Sequence, residues 1–272
     1  MTTLVLALIA GAVVGLALGG LGGGGSMLAV PALIYLLGFT PAHAGTASLL
    51  IVAATSLTGL LAHARAGRVR WRTGLLFAAA GLPLAAAAGA LSAHLPATLL
   101  TVAFAVLAAF AAWRMLASAR KPKDSARYRT GDLKDSARYR TGDLDADRPN
   151  ASGPGRSAAA GAGLGAVTGL LGVGGGFLAV PALVSVLAFT MAEAVGTSLL
   201  VITANSLAAL VPRIGTTGSL DWAVIAPFTA AAILGAWDGK RLADRFSSRT
   251  LQKAFAVALL AVAALMITDA LR

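Results

Sequence analysis

The first 64 residues contain no Asp, Glu, Lys or Arg. A water-soluble domain carries charge on about a quarter of its residues. A neutral stretch of this length is therefore a chain meant for lipid. Inside a bilayer every backbone N–H and C=O must find a partner within the protein, which leaves helices and closed barrels. Apolar runs of roughly 18 or more residues select the helix. The rest of the 272-residue chain agrees, being 57% apolar and 12% charged. The expectation is an all-α, polytopic integral membrane protein.

Five hydrophobic segments are expected in each half of the chain. In the first half they fall near 3–20, 26–38, 42–62, 72–92 and 96–118. In the second they fall near 157–171, 177–189, 192–213, 221–240 and 249–270. Residues 3–20 lack the basic flank and small-residue cleavage site of a secretory signal and are read as structure. The halves, 1–118 and 157–272, flank a polar, Arg/Asp/Gly/Pro-rich stretch at 119–156 that reads as a flexible basic linker. Within it Lys123–Leu133 (KDSARYRTGDL) is repeated without change as Lys134–Leu144. This tandem copy sits where insertions are tolerated and lacks the apolar seam of a supercoil.

The halves are copies of each other. Leu21–Leu33 (LGGGGSMLAVPAL) answers Leu171–Leu183 (LGVGGGFLAVPAL) 150 residues later. Ser48-Leu49-Leu50 answers Ser198-Leu199-Leu200 at the same offset, and Trp71 answers Trp222 at 151. Charge placement then orients the copies. Arg65, Arg68, Arg70 and Arg72 follow the third segment of the first half, whereas Lys240, Arg241, Arg245, Arg249 and Lys253 flank the fourth-to-fifth connection of the second. With the linker, all of the 22 Lys and Arg except Arg213 and Arg272 fall on one face. The positive-inside rule makes that face cytoplasmic. The same connection is then inside in one half and outside in the other, so the two repeats have inverted topology. For the charges to balance this way, 3–38 and 157–190 must each enter and leave on one side. Each glycine stretch becomes the turn of a hairpin, expected near mid-membrane.

Glycine turns that reopen into short helices present several N–H groups without helical partners, a cradle for an oxyanion that needs no buried cation. Corresponding glycine-interrupted segments in two halves of a membrane protein point to a transport site. The candidate substrate-binding residues are therefore Gly22, Gly23, Gly24, Gly25 and Ser26 in the first copy and Gly174, Gly175 and Gly176 in the second. Pro31 and Pro181, one turn into the short helices, free the carbonyls of Met27 and Phe177 for a coupling ion. The bland alternative is that the glycines only let helices pack closely. The third segments add Thr46, Ser48, Thr197, Ser198 and Asn205. Hydroxyls in membrane helices often bond their own backbone instead, and Asn205 has no such outlet. His43 and Glu193, which are repeat mates, are candidates for proton coupling or gating. Each sits near a helix start, where a solvated charge is an equally good account. Arg213 is a candidate for drawing an anion to the outer mouth, against the alternative of an interfacial arginine.

No catalytic constellation is present. The three histidines are scattered, there is no cysteine, and no HExxH, GxSxG or Walker pattern occurs. No metal or cofactor is called for. The net charge of +11 lies in loops on one face and is read as membrane topology, not as nucleic-acid binding. A passive anion channel and an intramembrane enzyme stay as rival classes, and a homo-oligomer is left open.

With the doubled glycine–Val-Pro-Ala-Leu segments, Gly196-Thr197-Ser198-Leu199 and the looser Gly45-Thr46-Ala47-Ser48 in view, the chain resembles the sulfite exporter TauE/SafE family. The first copy departs by its four consecutive glycines and Ser26. The resemblance implies a multi-pass protein of the bacterial inner membrane. It implies export of a small sulfur-containing anion, sulfite or a sulfonated organic acid.

Overall fold

The computed structural model describes residues 2–21, 26–92, 94–120, 154–172, 176–187, 189, 191–217, 220–245 and 248–270. Every regular element among them is helical, with no strand. In the first half α1 runs Thr2–Leu21, and residues 26–28 form a 3-10 turn. Then α2 covers Ala29–Pro31, α3 Pro41–Arg65, α4 Trp71–Ser92 and α5 Ala97–Arg120. In the second half α6 is Pro154–Leu171, α7 Gly176–Leu187 and α8 Met191–Leu210. A 3-10 turn Val211–Arg213 and the short α9 Ile214–Thr217 follow. The chain closes with α10 Trp222–Arg245 and α11 Ser248–Ala270. Most of the expected linker, 121–153, lies outside the described residues.

Two departures from expectation have a proline behind them, while α10 runs on to Arg245, past the expected end at 240. The segment expected as one short helix at 26–38 is α2 continued by a π-helix, Ala32–Leu36. Pro31 has no N–H for the Met27 carbonyl, and the turn that follows is wider than an α-helix. Pro212 likewise tightens the end of α8 into 3-10 geometry, so the expected 192–213 helix stops at Leu210.

Three helical stretches are long and apolar enough to cross a membrane: Pro41–Arg65, Trp71–Ser92 and Glu193–Arg213. The spans of α3 and α8 are 67% buried within the protein, against 33% for α4. Those two helices are therefore the central pair. They run antiparallel: Ser56 Oγ meets Thr203 Oγ1 at 2.8 Å mid-length, while the residues following each helix contact the start of the other. Large apolar side chains such as Leu76, Leu234 and Trp237 lie more than two-thirds exposed on the outside, the surface that meets lipid (73%, 68% and 73%).

The packing obeys the repeat. The first helix of each copy packs on the fourth of the other, α1 on α10 and α6 on α4. The larger of the remaining pairings between the copies also map onto themselves when the copies are exchanged: α3 with α8, α5 with α11, α4 with α8 against α10 with α3. The match extends to single residues. Gly11 abuts the Phe228 carbonyl and Gly15 that of Ala232; their mates Gly161 and Gly165 abut the carbonyls of Phe77 and Gly81. A Cβ at any of the four would overlap the facing backbone. Glycines spaced by four thus bring backbones into contact, as small residues do between helices that lipid cannot push together. The short-helix ends match too, with Phe39 N–H donating to Leu33 O (3.0 Å) and Phe189 N–H to Leu183 O (3.4 Å).

Candidate functional site

The glycines expected to hold an anion, Gly22–Gly25 with Gly174 and Gly175, lie outside the described residues, as does any contact between the two turns. Their flanks are described. Gly176 begins α7. Ser26 and Met27 are fully buried at the far edge of the first turn. At the near edge of the second, Gly172 has φ +68, a left-handed conformation that favours glycine. Its Cα side faces Gly45, where a side chain would sit 2.5 Å from the Gly45 carbonyl oxygen. Gly45 is only about one turn into α3, so the end of α6 packs against the first turns of α3.

Most hydroxyls of the central pair bond their own helix. Thr46 Oγ1 donates to Ala42 O (3.1 Å), Thr55 to Ile51 O (2.8 Å), Ser198 to Val195 O (2.8 Å) and Thr203 to Leu199 O (2.7 Å). Four residues do not. Among the described residues Ser48 Oγ, Thr168 Oγ1, Ser206 Oγ and both amide atoms of Asn205 are buried with no hydrogen-bond partner. Asn205 lies where three helices meet, since a Cβ on Gly81 of α4 would sit 2.9 Å from its Oδ1 and 2.7 Å from Gly161 O of α6. Ser48 is one turn past Gly45, and Thr168 one turn before Gly172. A buried polar group without a partner costs about 1–3 kcal/mol. Thr168 was not among the residues singled out from sequence; nothing in a lone threonine of an apolar helix marks it.

The ends of the central pair carry the charges. At one end Glu193, in the first turn of α8, accepts from Arg70 Nη2 (2.7 Å) and Nε (3.0 Å). The guanidinium of Arg70 stands 5.3 Å over the Phe189 ring, and its backbone N–H donates to Thr197 Oγ1 (3.1 Å). Glu193 is thus held by a defined ion pair, and Thr197 is occupied in fastening the same loop. Arg70, counted in the sequence only as a topology charge, belongs to this cluster.

At the other end Arg213 is 5% exposed, so it is neither an interfacial nor a surface arginine. Its Nε donates to Gly89 O (3.3 Å), and its Nη2 to Gly169 O (2.6 Å) and to Ser92 Oγ. Gly89 and Gly169 lie in the last turns of α4 and α6, where the partial negative charge of a helix end suits a cation. Arg213 also lines a cavity of about 150 Å3 together with His43, Thr46, Ser92 and Thr101. The cavity is also lined by Val30 and Ile34, which follow the first glycine stretch, and by Leu170 and Leu171, which precede the second. His43, Thr46 and Arg213 are therefore together, whereas Glu193, Thr197 and Ser198 belong to the first turns of α8, the helix whose start faces Arg70.

The chain is similar to known proteins over nearly its whole length. The family model described as "Sulfite exporter TauE/SafE" matches residues 7–266. A "Probable membrane transporter protein" of Xylella fastidiosa strain 9a5c is 31% identical over 265 residues, covering 96% of this chain and 94% of that one. Its counterpart in strain Temecula1 is 29% identical over the same shares. No solved structure matches the chain. A family match from residue 7 to residue 266, on a chain whose described elements are all helical, makes this chain a member of the TauE/SafE family of membrane transporters.

Proposed function

We propose that the protein exports a small sulfur-containing oxyanion, sulfite or a sulfonated organic acid, across the bacterial inner membrane by alternating access around its two glycine turns. The observation that carries this is the set of buried, unpartnered polar groups on α3, α6 and α8. Ser48 and Thr168 offer hydroxyls near the Gly45–Gly172 approach, while Asn205, beside Gly161 of α6, offers an amide and Ser206 next to it in sequence a further hydroxyl. A polar cargo that accepts from them offsets their desolvation while it is bound and returns the cost when it leaves.

The reciprocal helix pairing supports inverted repeats, in which two mirror-related arrangements of one scaffold differ little in energy. The Arg70 end carries the basic loops and is assigned to the cytoplasm; the Arg213 end faces outward. The Arg70–Glu193 pair then fastens the inner end, and His43 and Glu193, as repeat mates, are the groups through which a proton couples to the cycle.

The experiment is flux of radiolabelled sulfite and sulfoacetate in proteoliposomes, with and without an imposed pH gradient. Saturable, counterflow-competent flux that Gly24→Leu and Gly175→Leu abolish is the expected result. Non-saturable flux with no counterflow would instead identify a channel. Indifference to the gradient would remove proton coupling.

A further inference from the structure

The cavity at Arg213 has two kinds of wall. The guanidinium and the imidazole of His43 are among its polar lining; Leu100, Phe104 and Met266, 9%, 2% and 1% exposed, are among its apolar lining. The guanidinium is set in place by carbonyls of two helix ends and by Ser92, so its orientation is fixed before any ligand arrives. A bare inorganic anion entering here would give up hydration against hydrocarbon that returns nothing. An anion with an apolar body would bury that body instead. In another protein a cavity of about 150 Å3 holds a benzene-sized molecule.

We propose that this cavity is an outer binding site for an organic anion. Its oxyanion head sits on Arg213 and a body of two or three carbons lies against Leu100, Phe104 and Met266. Its part in transport rests on the function proposed above; the binding does not. The site takes cargo between the arms of the two hairpins and selects for the short alkyl chain, a choice that backbone amides alone do not make.

The test uses the full chain in lipid nanodiscs, with sulfate, methanesulfonate, ethanesulfonate and propanesulfonate as probes in calorimetric and thermal-shift titrations. Affinity should rise roughly fourfold per methylene along the sulfonates, with sulfate weakest. Arg213→Gln should abolish binding of all four. Because that change also frees two helix-end carbonyls, Ala42→Phe serves as a second variant that fills the cavity from the first turn of α3. It should weaken propanesulfonate at least tenfold. Equal affinity for sulfate and propanesulfonate, or unaltered propanesulfonate binding in Ala42→Phe, would overturn the proposal. Wild-type flux without chain-length-dependent binding removes this site and leaves the transporter. Chain-length-dependent binding without flux does the reverse.

Discussion

Asn205→Leu should make the protein more stable and inactive. The Asn205 side chain is fully buried, and both its amide atoms lack a partner among the described residues. Its amide atoms lie within 3.0 Å of where a Cβ on Gly81 would sit, so the head of the side chain rests on bare α4 backbone. Leucine has nearly the same shape and nothing to desolvate. Removing an unsatisfied buried amide gains about 1–3 kcal/mol. For a chain of this size that corresponds to a Tm roughly 2–10 °C higher. The repeat mate offers the control. Thr55 Oγ1 already donates to Ile51 O and Val52 O (2.8 and 3.2 Å), so Thr55→Val should change stability by no more than about 1 kcal/mol. Thermal unfolding in nanodiscs gives the first quantity, and sulfite counterflow, expected to fall at least tenfold in Asn205→Leu, gives the second. A lowered Tm with normal counterflow would refute the reasoning, because it would mean the amide is bonded within the protein and serves packing.

Gly15→Ala and Gly165→Ala place a methyl group against equivalent carbonyls, those of Ala232 and Gly81, so the two should lower Tm by similar amounts; a large difference would show that the two packed pairs are not equivalent. The Arg70–Glu193 pair is 40% and 26% exposed, which limits its stabilisation to about 0.2–1 kcal/mol. Glu193→Gln should therefore leave Tm within a few degrees while abolishing the response of flux to a pH gradient, and a retained response would exclude Glu193 as the coupling group. Topology is accessible because the chain has no cysteine. His94→Cys, on an exposed turn, should react with an impermeant maleimide from outside, and Arg68→Cys only after permeabilisation. Ser92, the last residue of α4, is 5% exposed and is an unsuitable position for the label.

The helices were readable because lipid demands long apolar runs and prolines and polar loops end them; α3, α4, α5 and α11 begin within a residue or two of expectation. The repeat was readable from Val30-Pro31-Ala32-Leu33 and its mate, yet the spacing Gly11-Gly15 against Gly161-Gly165, which zips the copies together, was passed over although it stands in plain view. Arg213 was legible as unusual and not as buried. Its partners are Gly89, Ser92 and Gly169, 124, 121 and 44 residues away, and no local pattern encodes such a meeting. Glu193 had the same fate: a lone acid near a helix start is indistinguishable from a solvated cap until Arg70 arrives from 123 residues upstream. The meeting of the end of α6 with the first turns of α3 rests on one backbone approach, Gly172 to Gly45, which sequence spacing does not report.

The exchange of partners between the copies has a consequence for biogenesis. When α1 leaves the ribosome, the α10 backbone that its glycines need is still some 200 residues from being made. The first copy must therefore wait in the membrane with the glycine face of α1 and the carbonyl face of α4 uncovered, and neither half can complete its interior by itself. Severing the chain between the copies should cost little so long as both pieces are synthesised together, since it is the mutual embrace and not the covalent join that closes the fold.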